Sequence, residues 1–326
     1  MDRIQLLRQW LAAATGTAEF TLAPASSDAS FRRYFRVGLP DGSTRIAMDA
    51  PPDKEDCRPF VRVAGLFGAA GVVVPKVHAQ DLAQGFLLLD DLGTRTYLDE
   101  LTPEAADRLY KDAIRALVSI QSATRPEVLP AYDRALLLRE LNLFPEWYVE
   151  HQLEAPLLPA DGDTLQSVFA SILENNLAQP RVYVHRDYHS RNLMVCDPGP
   201  GILDFQDAVE GPITYDLVSL LRDAYIRWDE ERVIDWAIHY WELARRAGLP
   251  VHRDFGEFYR DFEWMGVQRQ VKVVGIFARL AFRDGKRGYL DDQPRVLGYL
   301  RAACERYREL APLVRLLDRL QEGTAA

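Results

Sequence analysis

Cysteine is scarce in this chain. Cys57, Cys196 and Cys304 are the only three in 326 residues, and they lie far apart. Cysteines without short spacings exclude a disulfide framework and a zinc knuckle, and they point to a reducing compartment. Long apolar runs are also missing: nowhere do eighteen apolar residues follow one another. No membrane span is therefore expected, and a cytoplasmic protein is. The opening MDRIQLLRQWLAAATG is amphipathic and interrupted by Asp2 and Arg8, which predicts a packing helix rather than an export signal. Positive charge is not in excess. Against 48 Asp and Glu stand 39 Lys and Arg, a net charge of −9, so a general nucleic-acid partner is not expected. Internal repeats and low-complexity linkers are absent as well.

What remains is a globular composition, 48% hydrophobic and 27% charged, in a chain long enough for one large domain or two ordinary ones. Its texture changes near Leu92. Before that point, FRRYFRV (Phe31–Val37) and the following LPDGSTRIAMDA predict two strands joined by a turn at Asp41-Gly42. CRPFVRVAGLFGAAG predicts a helix ending at Gly71, and KVHAQDLAQGFLLLDDLG two further strands. This is a small antiparallel sheet with a helix on it, residues 1–92. From residue 93 to 326 the helical period dominates. Thr102-Pro103-Glu104 opens a helix whose apolar face continues through Leu109, Ala113, Leu117 and Ile120. Further helices are expected near 132–153, 163–178, 214–224, 229–247, 255–282 and 294–320. The only strands expected in this half are Val182–Val184, Leu193–Cys196 and Gly201–Leu203.

Those strands flank VYVHRDYHSRNLMVCDPGPGILDFQDA, Val182 to Ala208. The bland interpretation is a solvated loop with incidental acids. The spacing favours another, because His185-Arg186-Asp187 followed five positions later by Asn192 matches the catalytic loop H-R-D-x-x-x-x-N of phosphotransferases. A loop anchored at both ends presents Asp187 to an acceptor hydroxyl, and Asn192 and Asp204 supply hard oxygens of the kind magnesium prefers. His185-x-Asp187-x-His189 as three metal ligands is a further alternative. It needs more histidines nearby, and the other four are scattered at 78, 151, 239 and 252.

The stretch resembles the aminoglycoside phosphotransferase and choline kinase-like families, relatives of the protein kinases. Their H-x-D-x-x-x-x-N, I-D-[FW]-x-x-[AS] and Y-D-L patterns correspond to His185, Asp187 and Asn192, to Leu203-Asp204-Phe205-Gln206-Asp207-Ala208, and to Tyr215-Asp216-Leu217. A narrower resemblance rests on FRRYFRV, AMDAPPDKEDCRPFV, GFLLLDDLG, RELNLFPEWYV and LDFQDAVEGPITYDLVSLLRDAY. These segments are similar to a family of bacterial cell-wall sugar kinases that phosphorylate N-acetylmuramate and N-acetylglucosamine at the anomeric hydroxyl in peptidoglycan recycling. The resemblance implies an α+β, two-lobed protein-kinase-like fold, with a nucleotide-covering sheet lobe and a mainly helical lobe carrying the catalytic loop and substrate site. It implies ATP and Mg2+, a small amino-sugar substrate and a monomer. Asp187 would be the catalytic base, Asn192 and Asp204 the metal ligands, and Asp216 a support behind the loop, with His185 holding the loop together. The adenine would meet the main chain of Leu88, Leu89, Asp90 and Asp91.

One departure stands out. Relatives carry a lysine on the third strand paired with a helix glutamate, whereas here the strand is Arg45-Ile46-Ala47-Met48-Asp49 and the helix from Arg58 to Gly71 has no acid. The segment SDASFRRYF takes the place of the phosphate-covering loop without glycine. Ser30, Arg32 and Arg33 are its nucleotide candidates, and Arg32 or Arg33 is expected on the phosphates. On the acceptor side, helices mixing acids, amides and aromatics suit a sugar. Glu140, Asn142 and Trp147 in RELNLFPEWYVEHQL, His189 and Arg191 in the loop, and Gln268 in WMGVQRQVKVV are the candidates. Gln268 and Arg269 either reach a carboxylate on the substrate or simply pack a helix face. The alternatives in function are a kinase for an aminoglycoside or a choline-like amine, and a nucleotide-binding pseudokinase, which the missing lysine favours and the intact Asp187, Asn192 and Asp204 oppose.

Overall fold

The computed structural model describes residues 2–27 and 31–324. The chain follows the order α1 (Arg3–Thr15), β1 (Thr21–Ser27), β2 (Arg33–Gly38), β3 (Thr44–Asp49), α2 (Arg58–Ala69), β4 (Val77–Asp81), β5 (Phe86–Asp90) and α3 (Tyr97–Glu100). It continues through α4 (Ala106–Ser122), α5 (Arg134–Leu141), a π-helical segment Phe144–Gln152, α6 (Pro159–Ala178), β6 (Arg181–Val184), β7 (Leu193–Val195), β8 (Pro200–Ile202) and β9 (Val209–Pro212). It ends in α7 (Tyr215–Leu221), α8 (Glu230–Arg246), α9 (Phe255–Phe282), a 3-10 turn Arg287–Asp291, α10 (Gln293–Arg306) and α11 (Ala311–Thr324). Two compact units result: residues 1–105 with 191–207, and residues 106–190 with 208–326. The chain is thus a two-lobed α+β protein.

The first unit is built on a five-stranded antiparallel sheet, ordered β1-β2-β3-β5-β4. Alternation along the strands gives it two different faces. Val37, Ala47, Phe86 and Leu88 are buried against Leu7 and Leu11 of α1. Tyr34, Arg36, Ile46 and Leu89 fall on the alternate positions and line a cavity. The β2–β3 turn forms at Asp41-Gly42, where Gly42 takes φ +82° and the Asp41 carboxylate accepts from Ser43 N at 2.9 Å. Helix α2 buries Phe60, Val63, Ala64 and Phe67, an i, i+3, i+4, i+7 stripe. Strand β1 was not expected. Pro24 obscures it, and the pairing with β2 accommodates that residue by a register shift between Pro24 and Ser26.

The second unit is organised around α9, 28 residues long and buried on most of its length. Gly275 permits its close crossing with the α5 end, since a Cβ there would lie 2.4 Å from the carbonyl carbon of Leu143. The span expected as one helix near 132–153 is divided into α5 and the π-helical segment, with Pro145 inside the first turn of the latter. The span near 294–320 likewise breaks into α10 and α11. Strand β9 was missed. It pairs antiparallel with β6, Val182 opposite Gly211 and Val184 opposite Val209, but Val-Glu-Gly-Pro carries little strand propensity of its own.

Candidate active site

In the second unit β6 ends at Val184 and the chain turns into His185-Arg186-Asp187. Buried carboxylates hold this turn. Asp216, fully buried in the first turn of α7, accepts from His185 N at 2.6 Å and Arg186 N at 3.0 Å. Asp223 is seven residues further, just beyond the end of α7. It is 1% exposed and accepts from Ser190 N at 2.9 Å and Tyr225 N at 2.8 Å. Between these anchors the His185 ring accepts from Asp187 N at 3.2 Å and meets Tyr188 edge-on. Arg186 has φ +80°, a conformation a non-glycine residue takes only where its surroundings enforce it. Burial pushes the Asp216 carboxyl up to about 6, although His185 and the two backbone N–H groups pull the other way.

Side chains from α5, α7 and α9 close around the loop. The Arg186 guanidinium donates to Glu140 Oε1 at 2.5 Å and lies 5.5 Å from the Tyr132 ring centroid. Lys272 Nζ is 3.2 Å from the same Oε1 and donates to Tyr215 Oη at 2.9 Å. Tyr132 donates its hydroxyl to Glu140, and Gln268 Nε2 lies 3.4 Å from Glu140 Oε2. Burial would raise the Glu140 pKa, but Lys272 and Arg186 outweigh it and hold the group ionised. Burial likewise works against the charge on Lys272, and Glu140 and Tyr215 reverse it. Asp187 sits in the field of this cluster. Burial would push its carboxyl up; Lys272, His189, Arg269 and Arg186 together hold it down at about 2. Burial depresses the His189 pKa, with Asp223 and Asp187 opposing, and the imidazole lies edge-on to Tyr225.

The first unit holds the second acidic motif. Asp204 follows β8 with φ +60° and accepts from Gln206 Nε2 at 2.9 Å. The next residue, Phe205, is fully buried against Phe60 and Phe67 of α2, with centroids 4.8 and 6.0 Å away. An aromatic clasp thus ties α2 to the Asp204 segment, where an ion pair to a helix glutamate was missing from the sequence. Asn192 and Asp204 line one cavity of about 390 Å³ with Arg36, Leu89, Asp90 and Asp91. Their oxygens suit a hard cation that shares its remaining ligands with phosphates. Among the described residues no three His, Cys, Asp or Glu side chains converge on one point. The His185-x-Asp187-x-His189 metal trio is therefore not formed.

The sequence-derived candidates separate as follows. Leu89, Asp90 and Asp91 line the cavity, whereas the Leu88 side chain belongs to the core under α1. Arg191 lines the cavity with Asn192. Arg33 is tied to Asp49: its Nε donates to Oδ2 at 3.0 Å, and Arg3 donates to Oδ1 at 2.6 Å. Arg32 is half-buried; burial disfavours its charge, while Tyr34 and the Asp204, Glu55 and Asp207 carboxylates more than restore it. Met48 is 1% exposed within the sheet. Ser30 lies outside the described residues. Glu140, expected to meet sugar hydroxyls, instead has its oxygens occupied by Tyr132, Arg186, Lys272 and Gln268. Asn142 is exposed at the α5 end, and the Trp147 ring rests on His151 at 4.6 Å.

Three groups escaped the sequence reading. Lys272 carried a signal: a lysine inside the apolar Val271–Val274 stretch of a buried helix needs a partner. Asp223 stands two residues past the end of α7, in no motif that the sequence marks. Arg36 pairs with Asp91 through Nε at 2.6 Å and Nη2 at 3.1 Å, and it appears in sequence only as one strand arginine among several.

The N-acetylmuramate/N-acetylglucosamine kinase of Neisseria meningitidis serogroup B is 51% identical over 324 residues, 98% of this chain and 96% of the relative. The protein of the same name from Pseudomonas aeruginosa is 52% identical over 308 residues, 94% of this chain and 90% of its own. A solved choline/ethanolamine kinase family protein from Mesorhizobium loti superposes with a TM-score of 0.64 at 17% identity, covering 96% of this chain and all of the other, a likeness of fold. With residues 21–255 matched by the model of the phosphotransferase enzyme family, the chain belongs to that family.

Proposed function

We propose that this protein is an ATP-dependent sugar kinase that phosphorylates the C1 hydroxyl of N-acetylmuramate and N-acetylglucosamine. The acceptor is taken from relatives about half identical over nearly the whole chain, which carry those sugars in their names. One observation carries the reaction: Asp187 is kept ionised by surrounding cations on a loop anchored at both ends by buried carboxylates. A carboxylate of such low pKa is a weak proton acceptor. Phosphoryl transfer tolerates this, because its loose transition state asks for alignment of the attacking oxygen more than for early deprotonation.

In this reading Asp187 orients the anomeric hydroxyl. The sugar oxygen bonds to the γ-phosphorus, the bond from that phosphorus to the departing ADP oxygen breaks, and the hydroxyl proton passes to Asp187 and on to solvent. Magnesium, held by Asn192 and Asp204, would neutralise phosphate charge when bound. Arg32 supplies the phosphate contact that the absent β3 lysine would have made, in keeping with the acids that surround it. The cavity of the first unit takes the nucleotide along the main chain of residues 89–91, so residues 1–105 with 191–207 serve ATP and the rest of the chain the acceptor. A single chain acting on a small molecule in the cytoplasm completes the proposal; the three cysteines are free thiols and no helix among the described residues is long and apolar enough to cross a membrane.

The test is Asp187→Asn, which keeps the shape and removes the charge. Turnover should fall at least ~100-fold, the lower range for losing a positioned acid–base group, with ADP affinity little changed. Turnover equal to the parent protein would refute the role of Asp187.

A further inference from the structure

The α9 segment from Gln268 to Lys272 buries four polar side chains, Gln268, Arg269, Gln270 and Lys272, each 5% exposed or less. Lys272 is neutralised by Glu140, and Arg186 shares that carboxylate. Arg269 differs. It is 4% exposed, yet among the described residues no hydrogen bond or ion pair engages its guanidinium. Its charge acts on Asp187 and His189, while its nitrogens are not among the buried polar atoms sealed from solvent without a partner. An arginine cannot shed its proton to escape burial. A buried guanidinium with donors unfilled is costly unless an anion arrives to fill them.

We propose that Arg269 is the recognition group for a carboxylate on the acceptor sugar, forming an anion subsite beside Asp187. The proposal rests on the sugar-kinase reading above. N-acetylmuramate differs from N-acetylglucosamine by an ether-linked lactyl group that ends in a carboxylate, and a guanidinium pairs with a carboxylate through two parallel N–H···O bonds. Placement favours the acceptor over the nucleotide as the source of the anion. Arg269 shares its unit with Asp187, the group that meets the acceptor hydroxyl, and its charge is felt there. Two further buried atoms of this cluster, Gln268 Oε1 and His189 Nδ1, lack hydrogen-bond partners. They suit the hydroxyl and amide groups that both sugars present. The lactyl carboxylate is thus read by Arg269 and the common part of the sugar by its polar neighbours.

The experiment compares steady-state kinetics of the parent protein, Arg269→Met and Arg269→Lys on N-acetylmuramate, its methyl ester and N-acetylglucosamine. In Arg269→Met the kcat/KM ratio of N-acetylmuramate to its ester should fall by about 10- to 100-fold, the worth of one charge-assisted contact. The loss should reside in KM for the acid, and the lysine variant should recover part of it. Equal losses on all three sugars with a raised KM for ATP would assign the anion to the phosphates and overturn the proposal, as would an unchanged ratio. If Arg269→Met does not fold, the ester comparison in the parent protein and Arg269→Lys still decides: no preference of the parent for acid over ester refutes the subsite. Failure of the parent protein to phosphorylate any of the sugars would instead overturn the reading beneath it.

Discussion

Asp216 is a buried carboxylate whose hydrogen-bond donors are backbone N–H groups, and this gives it a recognisable pH signature. Its folded pKa, about 6, lies above the ordinary 3.8 because of burial. The folded chain therefore binds this proton more tightly than the unfolded chain. The associated stability is fully present below about pH 4 and is lost as the pH rises through about 6. A shift of this size corresponds to ~3 kcal/mol across the window. Replacing Asp216 with Asn should flatten the slope of unfolding free energy between pH 4 and 7 while lowering stability overall, through loss of one acceptor behind the loop. Denaturant titrations at several pH values measure both; an identical slope in the variant would contradict the assignment. Asp187 shows the opposite sign. Held at about 2 by neighbouring cations, it contributes stability that is fully present above about pH 5 and is lost as the pH falls towards 2. Motif spacing singled out Asp187 and the family resemblance Asp216, but the cations that separate their pKa values were not legible in the sequence. Lys272 and Arg269 reach the loop from a helix some eighty residues later in the chain, and only the fold brings them together.

At the scale of elements, the crossing of α9 with the end of α5 sets the position of Glu140 against Lys272. Gly275 is the contact point, and the obstacle to a larger residue is the backbone of Leu143 rather than a movable side chain. Gly275→Ala should cost about 1–3 kcal/mol, the usual penalty of overpacking, despite the better helix propensity of alanine. Chemical denaturation would show the loss; equal or higher stability would mean that the helices separate freely. Periodicity exposed α1, α2, α4 and α6 to α9 in the sequence because each carries an apolar stripe at helical spacing. Strand β9 and the division of the 132–153 span stayed hidden for different reasons. The first depends on a partner strand some thirty residues earlier, and the second on a proline and on packing against α9, neither of which a local pattern records.

At the scale of the whole molecule, the polar stretch that the sequence presents as one motif is distributed by the fold. Asp187 belongs to the helical unit, and Asn192 and Asp204 to the sheet unit, with the change of unit between Ser190 and Arg191. The chain belongs to the phosphotransferase enzyme family without carrying the β3 lysine. Each unit carries its own cations: Arg36, Arg191 and Arg32 in the first, Lys272, Arg186 and Arg269 in the second. The most direct test of the account is phosphorus NMR of the protein incubated with ATP, magnesium and, separately, N-acetylglucosamine, N-acetylmuramate, an aminoglycoside and choline. The account predicts a sugar phosphate whose phosphorus couples to the anomeric proton, formed from both amino sugars and absent with the other acceptors. A phosphate ester of the aminoglycoside or of choline, or ATP binding without any product, would contradict it.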